Sequence, residues 1–179
     1  SGAVSGLLAG TSIITYNASN GCNNSIVMTV NPKPVITGAG GLTSVCVGSQ
    51  LQLSADIPGI NASPWSVVAA NPSVTINNTG IVTGVSVGTP TISYTGNNNC
   101  SSNFNLAVNA LPTIGGPALV CVGSTITLNG SATAQSWTSA NTARATISST
   151  SGNNCVVSGI NTGTSLITYT NTYGCKATL

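Results

Sequence analysis

Six cysteines are the residues of this chain whose type and spacing carry the most chemistry. Cys46 and Cys100 lie 54 residues apart, and so do Cys121 and Cys175. Equal separations read as two disulfides, Cys46–Cys100 and Cys121–Cys175, with free buried thiols as the bland alternative. Each such bridge would stabilise its loop by about 4 kcal/mol in the chain-entropy model. Structural disulfides persist in oxidising compartments, so the pattern places the chain outside the cell or on its surface. Cys22 and Cys155 are left over, either unpaired or bonded between chains, a Cys22–Cys155 bond between copies included.

Little else in the chain can do chemistry. There is one acid (Asp56), three bases (Lys33, Arg144 and Lys176) and no histidine in 179 residues, a charged fraction of 2% against about 25% in an ordinary domain. Paired carboxylates are impossible, and the Ser and Cys nucleophiles have no His or carboxylate frame to activate them. Zinc and calcium sites lack donors, and a net charge of +2 is no nucleic-acid footprint. The expectation is a protein with no catalytic residue, no cofactor and no metal. No segment reaches the roughly 18 apolar residues of a membrane span, and no export signal opens this stretch.

The cysteines belong to a repeat. Gly6-x3-Gly10-Thr11, Ile14-Thr15-Tyr16 and Cys22 return as Gly84-x3-Gly88-Thr89, Ile92-Ser93-Tyr94 and Cys100. They return again as Gly159-x3-Gly163-Thr164, Ile167-Thr168-Tyr169 and Cys175. Val45-Cys46-Val47-Gly48-Ser49 recurs as Val120-Cys121-Val122-Gly123-Ser124, and Trp65-Ser66 as Trp137-Thr138. The landmarks shift by 78 and then 75 residues, which defines a unit of about 75 residues. Residues 1–33 are the second half of one unit, 34–109 a whole one, and 110–179 a third whose last strand is cut short.

Inside a unit the apolar period is two, the mark of half-buried strands. Leu51 and Leu53 alternate with Gln50, Gln52 and Ser54; Ile92 and Tyr94 with Thr91, Ser93 and Thr95; Phe104, Leu106 and Val108 with Asn103, Asn105 and Asn109. Turn residues such as Asn77-Asn78-Thr79-Gly80 separate the runs, and no stretch keeps a helical period. About seven short strands per unit predict an all-β protein of tandem Greek-key β-sandwiches.

The frame Trp137-Thr138-Ser139-Ala140-Asn141, Ala145-Thr146-Ile147, Val156-Val157-Ser158-Gly159 and Gly163-Thr164-Ser165-Leu166-Ile167-Thr168-Tyr169 resembles the bacterial immunoglobulin-like group 2 repeat. The middle unit carries the same frame in Ala70-Asn71-Pro72-Ser73-Val74-Thr75-Ile76, Gly80-Ile81-Val82-Thr83-Gly84 and Gly88-Thr89-Pro90-Thr91-Ile92-Ser93-Tyr94. The Val-Cys-Val-Gly-Ser block and the Cys after the Tyr strand look like versions in long surface proteins of Bacteroidota. The resemblance implies an immunoglobulin-like sandwich in each unit. It also implies a structural subunit of an extracellular filament or cell-surface fibre, or else an adhesin or glycan-binding stalk. The cysteines precede strand B and follow strand F rather than sitting mid-strand, so each bridge is expected to staple one end of its own sandwich.

Candidate modification sites are the Asn-x-Ser/Thr asparagines Asn17, Asn23, Asn61, Asn77, Asn99 and Asn129. Ser and Thr fill 49 positions and Asn 21, so about six such triplets arise by chance; the composition, not the count, suits covalent glycan. Trp65 and Trp137 could stack on sugars, but matching repeat positions favour core packing. Tyr94 and Tyr169 read as packing or corner residues. With almost no charge to block them, sheet edges are open to pairing, and the expected partner is another copy of the chain. Two origins remain open for residues 1–33: a segment exchanged between subunits, or part of a longer repeat chain.

Overall fold

The computed structural model describes residues 2–70, 72–131 and 134–179; Asn71, part of the group 2 frame, lies outside them. The two-residue period works as expected. Leu51 and Leu53 are buried while Gln50, Gln52 and Ser54 face solvent. The same alternation buries Ile92 and Tyr94 and Ile167 and Tyr169.

The first unit contributes only a hairpin, β1 (Gly10–Asn17) and β2 (Asn23–Val30), paired antiparallel over eight register pairs from Gly10↔Val30 to Asn17↔Asn23. Among the described residues no other strand joins it.

The middle unit is complete. One sheet orders β3 (Ile36–Gly38), β5 (Gln50–Ala55), β8 (Ile81–Gly84) and β7 (Val74–Ile76); the other orders β10 (Ser101–Asn105), β9 (Thr91–Thr95) and β6 (Trp65–Val67). β4 (Ser44–Cys46) runs parallel to β11 (Ala107–Asn109), with Cys46 opposite Asn109. Read in chain order these are the A-B-E-D and C-F-G sheets of an immunoglobulin-like sandwich, with β4 crossing to the second sheet. Its core joins Val45, Leu51, Leu53, Val74 and Val82 from the first half to Ile92, Leu106 and Val108 from the second.

The third unit repeats the plan with β12 (Ile114–Gly115), β13 (Thr125–Gly130), β16 (Asn154–Gly159) and β15 (Ala145–Ser151) against β14 (Ala134–Ser139), β17 (Ile167–Asn171) and β18 (Lys176–Thr178). Its core gathers Leu128, Trp137, Cys155, Val157, Ile167 and Tyr169. Residues 119–121, which align with β4, are paired to no strand, and the last residue, Leu179, aligns with Phe104 of β10. The repeated aromatic pair packs alike in both sandwiches, Trp65 on Tyr94 at 4.4 Å between ring centres and Trp137 on Tyr169 at 4.5 Å. The tryptophans are thus packed residues rather than open platforms.

Candidate functional site: the junction staple and the open edges

Cysteine chemistry concentrates at the junctions between units. The structure joins Cys46 to Cys175, with Cα atoms 5.7 Å apart, and leaves Cys22, Cys100, Cys121 and Cys155 as free thiols. The expected Cys46–Cys100 and Cys121–Cys175 bridges do not form, and topology supplies the reason. Cys46 ends β4 beside Asn109, where the chain leaves the middle sandwich. Cys100 lies in the turn before β10, where the chain enters it. Nine residues of extended chain, roughly 30 Å at strand rise, separate the Cys100 end from the Asn109 end, whereas a disulfide spans Cα distances of about 6 Å. The 54-residue spacing records the repeat, not the pairing. The bridge therefore fastens the exit end of one sandwich to the entry turn of the next, rather than closing one end of a single sandwich.

The entry turn closes with the same backbone bond three times, while the asparagine that holds the cysteine amide lies four residues before Cys175 and two residues before Cys100 and Cys22. Cys175 N–H donates to Asn171 Oδ1 (2.9 Å) and Cys175 O accepts from Asn171 N–H (3.0 Å). Cys100 N–H donates to Asn98 Oδ1 (3.1 Å) and its carbonyl accepts from Gly96 N–H (2.9 Å). Cys22 N–H donates to Asn20 Oδ1 (3.1 Å) and its carbonyl accepts from Ala18 N–H (2.8 Å). The residue before each cysteine, Gly21, Asn99 or Gly174, has φ of +84°, +61° or +79°, which selects Gly or Asn there.

The exit block is likewise duplicated. Gly48 N–H donates to Gly84 O (2.8 Å) and Ser49 N–H to Cys46 O (2.9 Å); Gly123 N–H donates to Gly159 O (2.9 Å) and Ser124 N–H to Cys121 O (3.0 Å). Cys121 is exposed at this block, and Cys100 is half-buried against the linker, its thiol donating to Asn31 O at 3.8 Å. Asn98 Nδ2 ties the same linker through Pro32 O (2.8 Å), and Asn31 Nδ2 returns to Asn98 O (3.3 Å). Cys155 is different: it is 1% exposed inside the third core, and burial pushes its thiol pKa up, a hydrogen bond with the Leu128 backbone opposing. In this structure Cys155 is enclosed by its own core and is not presented to a second chain.

Two open apolar surfaces lie beside these cysteines. In the third unit a groove of about 470 Å³ runs along Ala118, Leu119, Val120, Gly159, Gly163 and Leu179 among its lining residues. In the middle unit the equivalent place holds β11 and the buried Leu106: Ala107 N–H donates to Thr43 O (3.0 Å), Leu106 N–H to Pro90 O (3.0 Å), and Val108 exchanges bonds with Gly88. Leu119 is 88% exposed along this groove. The second open surface is the hairpin, where Ile13, Ile14, Tyr16, Ile26 and Val27 face solvent.

The remaining sequence-selected residues are scattered. All six candidate glycosylation asparagines are exposed; Asn77 Oδ1 is taken up by Thr79 N–H, Thr79 Oγ1 and Ile81 N–H, and Asn61 Oδ1 by Ser63 N–H. Asp56 accepts from Val35 N–H (2.7 Å) and Arg144 Nη1 donates to Thr162 O (2.6 Å), both fixing loops. Tyr94 acts as a corner residue, its hydroxyl donating to Ile57 O at 2.6 Å. No helix among the described residues is long and apolar enough to cross a membrane.

No family model and no curated protein sequence matches the chain. Among solved structures it is similar to domains 4 and 5 of the S-layer protein SbsC, at 16% identity over 83% of this chain and 97% of that one, with a TM-score of 0.39. A six-domain structure of that surface-layer protein matches at 14% identity over 96% of this chain and 34% of that one (TM-score 0.36). The human desmocollin-1 ectodomain matches at 10% identity over 94% and 43% (TM-score 0.30). The chain spans about a third of the longer S-layer structure.

Proposed function

We propose that this chain is a structural subunit of an extracellular filament or cell-surface fibre, built from immunoglobulin-like units stacked end to end. It is not an enzyme on this reading, and its main partner is a second copy of itself. The observation that carries the reading is the Cys46–Cys175 bond, which fixes two successive sandwiches exit end to entry end. Such a link serves load-bearing continuity; no reaction needs it. Its persistence calls for an oxidising, extracytoplasmic setting.

Assembly proceeds by strand exchange, as supported by the match between the groove and β2. Met28 and Val30 align with Leu106 and Val108, the residues that fill this place in the middle sandwich, and Ile26 aligns with Phe104, whose place Leu179 takes in the third unit. In this reading Met28–Asn31 of one copy take the strand seat of the third unit in the next. The first half of β2 displaces β18, which is held to β17 by three register pairs and the two bonds exchanged between Ile167 and Leu179. Main-chain bonds then run across the subunit boundary. The exposed sequon asparagines are proposed to carry glycan that keeps a nearly uncharged surface wet.

Electron microscopy of the native material without reductant tests this, together with Met28→Asp/Val30→Asp and deletion of residues 1–33. Regular filaments from the parent chain, and none from either variant, are expected. Unchanged filaments from the variants would sink strand exchange, and separate beaded strings from the parent would favour the stalk or adhesin reading.

A further inference from the structure

We propose that Cys121 of one subunit forms a disulfide with Cys100 of the next, so that the fibre is stapled between copies by the bond that Cys46–Cys175 makes within each copy. This inference rests on the strand-exchanged fibre proposed above and adds the covalent link to it.

The argument is one of equivalent positions. Cys121 occupies the place of Cys46 in the exit block, down to the two backbone hydrogen bonds from Gly123 and Ser124 that copy those from Gly48 and Ser49. Cys100 occupies the place of Cys175 in the entry turn, its carbonyl accepting from Gly96 N–H as that of Cys175 accepts from Asn171 N–H. What brings Cys46 and Cys175 together is the passage of β11 past β4: Asn109 lies opposite Cys46, and the chain then turns into the next sandwich. Asn31 aligns with Asn109, and Asn31 is the residue whose carbonyl lies against the Cys100 thiol. When Met28–Asn31 enters the groove, Asn31 comes beside Cys121 and carries Cys100 with it. The middle sandwich of the incoming copy then stacks on the third sandwich of the first, as the third stacks on the middle within one chain. Cys22, at the far end of β2, is placed a strand's length away from Cys121.

The bond balances with a disulfide oxidant, glutathione disulfide in vitro or an extracytoplasmic dithiol oxidase. The Cys121 thiolate attacks that disulfide, forming a mixed disulfide and releasing one thiolate. The Cys100 thiolate of the next copy then attacks the Cys121 sulfur, closing Cys121–Cys100 and releasing the second thiolate, so both electrons end on the oxidant.

The test oxidises the full chain in a glutathione redox buffer, resolves it on a non-reducing gel, and maps disulfide peptides by mass spectrometry. A ladder of covalent oligomers linked Cys121 to Cys100 is expected. Cys100→Ser and Cys121→Ser should each remain monomeric on the gel, while an equal mixture of the two should give dimers and nothing longer. A Cys121–Cys22 linkage would overturn the proposed geometry, as would oligomers from either variant alone. Filaments seen by microscopy but lacking the Cys121–Cys100 peptide would overturn the staple and leave the fibre reading standing. Absence of both filaments and peptide would remove the two together.

Discussion

The hairpin of residues 10–30 and its counterparts in the two sandwiches have the same sequence pattern and different fates. Ile14 is 37% exposed, whereas the aligned Ile92 and Ile167 are 0% and 5% exposed. Tyr16 is 73% exposed, against 5% for Tyr94 and 0% for Tyr169. The strands pair in full register in every case, because pairing is local and needs only the turn and the alternation. Burial is not local. It needs Val45, Leu51, Leu53, Val74 and Val82, which the first half of a unit supplies and residues 2–33 do not contain. An isolated hairpin is marginal in water, so on the proposed reading the hairpin is half of an interface.

The largest way to sharpen that comparison is to truncate the aligned isoleucines. Ile92→Ala should cost about 3 kcal/mol, since it empties a fully buried site. Ile14→Ala should cost less than about 0.5 kcal/mol in the separate chain. Urea denaturation followed by the intrinsic fluorescence of Trp65 and Trp137 measures both. Equal costs would mean that the hairpin is packed in solution, contrary to the exposure described above.

The alternation, the unit length and the sandwich order were legible from residues alone, since each depends on short-range pattern repeated three times. The disulfide pairing was not. Cys46 and Cys100 match in spacing, but whether a cysteine lies at the entry or the exit end of a sandwich depends on strand direction, which spacing does not encode. The block Val45-Cys46-Val47-Gly48-Ser49 and the turn after Tyr94 sit at opposite ends because β4 runs parallel to β11. The burial of Cys155 was hidden for another reason: its counterpart in the middle unit is Gly80, so the repeat offered no precedent for a core side chain there. In the middle unit the indole of Trp65 closes over Gly80 instead, 3.0 Å from where a Cβ would be.

A smaller effect is expected at the glycines where the chain crosses between the sheets. A Cβ on Gly84 would lie 2.7 Å from Cys46 O and 3.0 Å from Val108 Cγ1; one on Gly159 would lie 2.6 Å from Cys121 O. The first position is locked by β11 packed on it, whereas the second faces the open groove. Gly84→Ala should therefore cost about 2 kcal/mol and Gly159→Ala about 1, with overpacking as the common cause. The order of the two, read from thermal midpoints of the separate chain, decides the point: a costlier Gly159→Ala would mean that the groove is filled rather than open.

The smallest effect separates the corner tyrosine from its exposed relative. Burial raises the pKa of the Tyr94 hydroxyl above the usual tyrosine value, and the Asp56 carboxylate adds to the rise. The folded state thus holds this proton more tightly than the unfolded chain. The resulting stability is complete below the unfolded pKa of about 10 and is lost as pH climbs from there through the folded pKa. Tyr94→Phe removes the bond to Ile57 O and should cost about 1 kcal/mol at neutral pH. It also removes the titrating group, so the gap between parent and variant should narrow above pH 10, while Cys155, which titrates in both, leaves the difference unaffected. Tyr16→Phe, on the open hairpin, should leave the urea midpoint unchanged at neutral pH. A Tyr94→Phe gap that stays constant from pH 7 to pH 11 would show that the hydroxyl ionises in the folded chain as it does in the unfolded one, and that the corner bond exerts no hold on its proton.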